Sequence, residues 1–163
     1  MNYYQHRFSS VENYLHHRDP YLLVDSIVSI SREQIVTQKM VTGNEFFISG
    51  HFPGSPIFPG AMMQEMTTQS AGILIAAEFN PMQQYKTEDP AHNEYALGVL
   101  IKIGQARYKS FARPGDLLEV TIQLTDHFAG VFDFSGSIKV GSKIIMRNSF
   151  QLTNVKSTLL QGN

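Results

Sequence analysis

The segment from about Gly60 to Phe79 constrains the fold more than any other part of the chain. It is rich in Ala, Met, Gln and Glu, which favour helix. Its apolar residues recur near helical spacing, as Met62, Met66, Ile73 and Ala77 illustrate. A helix of this composition is too apolar to lie on a surface, so the methionines are interpreted as packing residues. The segment therefore predicts one long helix that the rest of the fold largely encloses.

Segments with strand-like patterns stand on both sides of this helix. Residues 21–30 and 34–42 are predicted strands, joined by a turn at 31–33. A polar loop over 80–93 separates the helix from the strongly β remainder. Further strands are predicted at 95–108, 118–124, 132–140 and 143–153, with turns at Pro114-Gly115-Asp116 and Gly141-Ser142. This order indicates a single α+β domain over residues 1–163, in which a curved antiparallel sheet wraps around one central helix.

Composition excludes several classes of function. The 163 residues are 42% hydrophobic and 17% charged with a net charge of −1, so binding to nucleic acid is not expected. With no cysteine, a thiolate nucleophile and cysteine-based metal sites are excluded. No apolar run reaches the roughly 20 residues of a membrane span, and the first residues lack the apolar core of a signal peptide. We therefore expect a cytoplasmic protein that does not insert into membranes.

A loop rich in proline and glycine precedes the helix and separates two titratable residues, His51 and Glu65. Prolines fix the backbone and glycines allow close approach, so the loop should be rigid and should place a helix N-terminus beside these residues. Each residue also has a structural interpretation. A histidine beside such a loop is often structural, and Glu65 could belong to an exposed polar stripe with Gln64, Thr68 and Gln69.

Together, a histidine and a glutamate can eliminate water from a β-hydroxy carbonyl compound. His51, with a reference pKa of about 6.5, is available as the base for the proton next to the carbonyl. Glu65 would protonate the departing hydroxyl if apolar surroundings raise its pKa. The backbone N–H of Gly60, at the expected helix start, could stabilise charge on the carbonyl oxygen. The arrangement predicts proton-transfer chemistry beside a carbonyl group.

Other candidate residues give weaker indications. His16 and His17 are interpreted as a structural turn or as a ligand pair, but no third ligand follows at metal-site spacing. Because the sequence also lacks a phosphate loop and a nucleophile elbow, we expect neither a metal nor a cofactor. Arg107, Lys109 and Arg113 form a small basic patch, which is either a solvated strand edge or a docking surface for an acidic partner or a phosphate group.

These motifs resemble the active-site signature of the β-hydroxyacyl-acyl-carrier-protein dehydratases of type II fatty acid synthesis. The resemblance covers roughly residues 15 to 150 and implies the hotdog fold, in the branch with a catalytic His and Glu. It rests on His51-Phe52-Pro53-Gly54, Pro56, Pro59-Gly60, Glu65 followed by Gln69, and the segments 17–25, 106–108 and 114–116.

The resemblance implies a role for each of four residues. His51 would be the base for the C2 proton of a (3R)-3-hydroxyacyl thioester, and Glu65 would act on the C3 hydroxyl. The N–H of Gly60 would polarise the thioester carbonyl, and Gln69 would orient Glu65.

The resemblance also implies partners. The His and the Glu of one site would come from different subunits, so a homodimer, or a trimer of dimers, would be the active form. The substrate would be carried by an acyl carrier protein. Because such carriers are acidic, Arg107, Lys109 and Arg113 become candidates for carrier docking.

Alternative functions remain open. An isomerising dehydratase resembles this pattern, but that branch typically has Asp where this chain has Glu65. A thioesterase on the same fold would activate water at the carbonyl. A non-catalytic acyl-thioester binding module would need neither His51 nor Glu65. Departures from the resembling pattern at 103–105 and 111–113, together with a long 80–93 loop, leave open a specialised acyl-chain pathway. The acyl chain length and the choice between carrier-protein and coenzyme A thioesters stay open as well.

Overall fold

Within residues 2–162, which the structure describes, the computed structural model contains one α-helix and six strands. The helix, α1, spans Gly60–Glu78. The strands are β1 (Ser26–Ile30), β2 (Gln34–Met40), β3 (Tyr95–Tyr108), β4 (Leu117–Phe128), β5 (Val131–Val140) and β6 (Lys143–Lys156). Short 3-10 helices lie at Val11–Asn13, Pro90–His92 and Ser157–Leu159. No helix in this part of the chain is long and apolar enough to cross a membrane.

All six strands form one antiparallel sheet, in the order β1-β2-β4-β5-β6-β3. Alternate residues of the central strands point to the helix and are almost fully buried. They include Leu118, Val120, Ile122, Phe132, Phe134, Ile138, Met146, Phe150 and Leu152. Removing each such side chain from water stabilises the fold by roughly 1.5–3 kcal/mol. The strands predicted in this part of the chain and the α+β class are confirmed.

Helix α1 is enclosed, as its composition predicted. From Met63 to Glu78, every residue except Glu65 is buried. The helix contacts strands β2 to β6, so it is covered on most of its circumference. Within α1, the residues that are not buried are therefore those of the first turn and Glu65.

The first strand begins later than its sequence pattern predicted. Residues 21–30 read as one strand, but β1 starts at Ser26. The N–H groups of Tyr21 and Leu22 donate to Arg18 O at 2.8 and 3.1 Å, forming a turn. The N–H of Leu23 donates to the side chain of Gln69 at 2.8 Å. Because these donors are used elsewhere, residues 21–23 do not pair with β2, and backbone bonding to β2 begins only at Asp25, whose N–H donates to Gln38 O at 2.9 Å.

Strand β3 lies at the edge of the sheet and is exposed over much of its length. The exposed fractions are 36% for Leu100, 50% for Ile101, 49% for Ile103 and 49% for Tyr108. An edge strand with unpaired backbone groups and exposed apolar side chains is a surface on which another strand can pair. The fold therefore presents one long strand that is open to a partner.

Candidate active site

His51 is held in the loop before α1 by its backbone and by its ring. Its N–H donates to Ile48 O and its carbonyl accepts the N–H of Ile57, both at 3.0 Å. Its ring stacks on Phe52 with the centroids 4.4 Å apart. Its Nδ1 lies 3.3 Å from Ile57 O, and because a carbonyl can only accept, Nδ1 carries the proton. The neutral ring therefore has its free lone pair on Nε2, where a base needs it.

The helix start faces the same cavity as His51. This cavity has a volume of about 360 Å³ and is lined by His51, Gly60, Met63, Tyr108 and Phe111, among others. Gly60 is the first residue of α1, so no helix carbonyl accepts its N–H. The free N–H groups and the positive end of the helix dipole make this a favourable place for a carbonyl oxygen that gains negative charge.

Glu65 lines a different cavity, of about 370 Å³, whose wall includes residues 96–100 of β3, His17 and Tyr21. Its side chain is 19% exposed. Burial raises the pKa of Glu65, and hydrogen bonds from Gln69 and Tyr21 oppose that rise. A carboxyl group in such surroundings keeps its proton to higher pH than an exposed one, as a general acid requires.

Gln69 connects Glu65 to the segment before β1. Its Nε2 donates to Glu65 Oε1 at 3.0 Å and to Tyr21 O at 2.9 Å, while its Oε1 accepts the N–H of Leu23. The side chain is buried, as are those of Gln64 and Thr68. The interpretation of these residues as an exposed polar stripe is therefore wrong. The amide of Gln69 thus links Oε1 of Glu65 to the backbone of residues 21 and 23.

Within one chain, His51 and Glu65 face opposite sides of α1. Among the described residues no hydrogen bond or ion pair joins them, and they line separate cavities. Helical geometry explains the separation, because five residues from Gly60 to Glu65 turn the helix by about 500°, or roughly 140° net. Each chain thus has two separate candidate cavities, one lined by His51 and one lined by Glu65.

The structure separates the three basic candidates for docking. Lys109 lines the His51 cavity, and the guanidinium of Arg113 lies 5.4 Å from the ring of Phe111, which lines it too. Arg107 instead lines a shallow cavity of about 290 Å³ together with Arg147, its partner on β6. Of these three residues, only Lys109 and Arg113 lie at or beside the His51 cavity.

One residue beside Glu65 was not selected as a site residue from the sequence. His17 Nε2 lies 3.8 Å from Glu65 Oε1, and the ring of His17 stacks on Tyr21 with the centroids 5.8 Å apart. The feature of the sequence that could have identified His17 is its place in segment 17–25, which resembles a segment of the dehydratase family. Its neighbour His16 contacts Asn93 at 3.1 Å rather than Glu65. Across residues 2–162, no group of three or more His, Asp or Glu side chains is placed to hold a metal ion.

A family model described as the FabA-like domain matches residues 15–149. The chain belongs to the FabA-like domain family. It is 38% identical over 131 residues to the 3-hydroxyacyl-acyl-carrier-protein dehydratase FabZ of Paracidovorax citrulli, covering 80% of this chain and 84% of that protein. It is 35% identical over 135 residues to the FabZ of Pseudothermotoga lettingae, covering 83% and 86%.

Solved structures share the architecture of this FabA-like protein. A chain of the dehydratase heterocomplex ApeI:P from Xenorhabdus doucetiae superposes with a TM-score of 0.75 at 20% identity, covering 95% of this chain and 97% of that one. A hypothetical thioesterase with coenzyme A from Streptococcus pneumoniae TIGR4 gives a TM-score of 0.57 at 10% identity, covering 80% and 85%. The hotdog fold expected from the sequence is confirmed.

The range matched by the FabA-like family contains every residue that lines the His51 cavity. Of the residues that line the Glu65 cavity, Leu160 lies outside that range. His17, Glu65 and Gln69 all lie within it.

Proposed function

We propose that this FabA-like protein is a dehydratase that converts a (3R)-3-hydroxyacyl group on acyl carrier protein to the trans-2-enoyl group. The curated relatives at 31–38% identity carry the name of this activity. The observation that carries the proposal is the presence, in one chain, of His51 with a free lone pair on Nε2 and of Glu65 with a pKa raised by burial. A base and an acid of these kinds are what elimination of water requires.

In the proposed reaction, His51 Nε2 removes the C2 proton and the electron pair of that bond forms the C2–C3 double bond. The thioester oxygen gains negative charge during this step and accepts the N–H of Gly60. Glu65 gives its proton to the C3 hydroxyl as the C3–O bond breaks, so the hydroxyl leaves as water. Gln69 keeps the carboxyl group of Glu65 in place. Proton exchange with solvent then restores neutral His51 and protonated Glu65.

We further propose that each active site joins His51 of one subunit to Glu65 of another. The two residues face opposite sides of α1 and line separate cavities, which favours a shared site over one within a chain. Antiparallel pairing of β3 with β3 of a second copy would continue the sheet and cover Leu100, Ile101 and Ile103. A homodimer is thus the proposed minimum, and a trimer of such dimers is compatible with it.

A complementation experiment tests the shared site. His51→Ala and Glu65→Gln chains with different tags are co-expressed, and the heterodimer is purified by both tags in sequence. It would hold one site with both residues and one with neither, so its activity should be about half that of the wild-type dimer. A heterodimer of two differently tagged His51→Ala chains is the matched control. An inactive mixed heterodimer would refute the shared site.

The chemistry is tested by hydration of a crotonoyl thioester, the reverse reaction. The ultraviolet absorbance of the conjugated thioester should fall with the wild-type protein and stay constant with His51→Ala or Glu65→Gln. Release of free thiol would identify a thioesterase instead, and a 3-enoyl product from a 2-enoyl thioester would identify an isomerising dehydratase. Tight binding without turnover on any carrier or chain length would identify a binding module and refute the proposal.

The carrier protein is proposed to dock where the His51 cavity opens. Lys109 and Phe111 line that cavity, and Arg113 lies over the ring of Phe111. Two cations beside an exposed aromatic ring suit an acidic protein that delivers an acyl group into the cavity. Arg107, on a separate cavity, is proposed to contribute less than these two residues.

A further inference from the structure

His17 lies in the Glu65 cavity, and the proposed reaction gives it no role. It is placed by the turn before β1, where its ring stacks on Tyr21 at an interplanar angle of 16°. From there its Nε2 points to Glu65 Oε1 at 3.8 Å. A small side-chain movement brings this pair within hydrogen-bond distance.

The other ring nitrogen of His17 settles which tautomer is present. Nδ1 is buried and has no hydrogen-bond partner among the residues that the structure describes. Burying an N–H group without an acceptor costs more free energy than burying a nitrogen lone pair without a donor. The neutral ring of His17 therefore carries its proton on Nε2 and its lone pair on Nδ1. His17 therefore presents a neutral N–H donor to Glu65.

The charges around His17 also favour its neutral form. Its own segment brings His16 and Arg18 close, Tyr21 lies against its ring, and α1 contributes Glu65. Burial lowers the pKa of His17, and His16 and Arg18 lower it further. This matters because an imidazolium ion would stabilise the Glu65 carboxylate and remove the acid. A neutral donor orients the carboxyl group without that effect.

We infer that His17 is a positioning residue for Glu65, holding Oε1 of its carboxyl group through a neutral Nε2–H donor. Gln69 Nε2 already donates to the same oxygen at 3.0 Å. Tyr21 also donates to this carboxyl group. Together with the donors on Oε1, that bond limits the orientations in which the acid can present its proton. The inference rests on the proposed function, because it assigns the orientation of the acid in that reaction.

Two variants separate the donor from the ring. His17→Phe keeps a ring against Tyr21 and removes the donor, whereas His17→Gln keeps a neutral N–H near the same position. We expect His17→Phe to lower kcat by about 10- to 100-fold with little change in KM, because the acid loses its orientation. His17→Gln should keep most of the wild-type kcat. His92→Phe is the matched control, since His92 is exposed and lines neither cavity.

A second measurement does not depend on turnover. The 13C resonance of the Glu65 carboxyl carbon, assigned by its loss in Glu65→Gln, is followed against pH. In His17→Phe the donor is replaced by an apolar ring, so the pKa of Glu65 should rise above the wild-type value. His17→Gln should titrate close to wild type.

The outcomes distinguish this inference from the proposed function. A wild-type protein without dehydratase activity refutes the function, while the titration of Glu65 still tests His17. Unchanged kcat and unchanged titration in His17→Phe refute the positioning role. An equal loss of kcat in His17→Phe and His17→Gln would show that the packing of the imidazole ring matters and the N–H donor does not, and would refute the inference. If His17→Phe does not fold, His17→Leu removes the same donor and takes its place in both measurements.

Discussion

Gly60 faces the ring of Tyr108 so closely that a Cβ on Gly60 would lie 3.0 Å from Tyr108 Cε1. The first residue of α1 and the last residue of β3 thus meet in the wall of the His51 cavity. A side chain at position 60 would therefore have to displace the Tyr108 ring from the wall of this cavity.

Replacing Gly60 by Ala should therefore lower activity more than stability. The Tyr108 ring is 49% exposed and can move away, so the free energy of unfolding should fall by no more than about 1 kcal/mol. The displaced ring changes the cavity, and kcat/KM should fall by about tenfold or more. Gly50→Ala is the matched control, because a Cβ there meets no atom within 4 Å. Equal kcat/KM values for the two variants would contradict the prediction.

The raised pKa of Glu65 has a consequence for stability. In the unfolded chain Glu65 loses its proton near the ordinary value of 4.5, whereas the folded protein holds it to higher pH. The free energy of unfolding therefore falls as the pH rises from that value through the raised pKa. Glu65→Gln does not titrate, so its stability relative to wild type should increase over this window. Urea unfolding of both proteins at several pH values checks this. If the difference between their free energies of unfolding stays constant with pH, the prediction is wrong.

Replacing Gln69 by Leu should reduce both stability and turnover. The change leaves Tyr21 O and the N–H of Leu23 without partners and releases the carboxyl group of Glu65. Such buried unpaired groups cost about 1–3 kcal/mol each. Gln34→Leu is the matched control, because Gln34 is exposed and bonds only to Gln123 through its side chain. The free energy of unfolding and kcat are measured for both variants. Equal values for Gln69→Leu and Gln34→Leu would show that Gln69 only fills space.

Charge reversal at Arg113 should distinguish carrier docking from chemistry. Arg113→Glu is expected to raise KM for a substrate on acyl carrier protein by about tenfold at low salt, and less at high salt. A short pantetheine thioester should react as with wild type, since Arg113 is not among the residues lining the His51 cavity. Arg107→Glu should have a smaller effect because Arg107 lines a separate cavity. An equal rise in KM for the pantetheine thioester would show that Arg113 acts in the substrate cavity and not in carrier docking.

Much of the secondary structure followed from local patterns. The helix predicted over 60–79 is observed at Gly60–Glu78, and the turn at 141–142 joins β5 and β6. The start of β1 was predicted five residues too early, because an extended apolar pattern does not reveal that Gln69, from a distant helix, takes the N–H of Leu23. From the sequence, His17 reads as part of a structural turn or a ligand pair, because local spacing does not reveal that its ring lies 3.8 Å from Glu65.

The sequence by itself determined the helix, most of the strands and the candidate base and acid, because spacing and residue chemistry are local properties. Only the tertiary structure decided that Gln64, Thr68 and Gln69 are buried, and that β3 is an exposed edge. It also decided that His51 and Glu65 face opposite sides of α1. These properties depend on which distant elements cover each face of the helix and each edge of the sheet, and contacts between distant segments leave no local pattern.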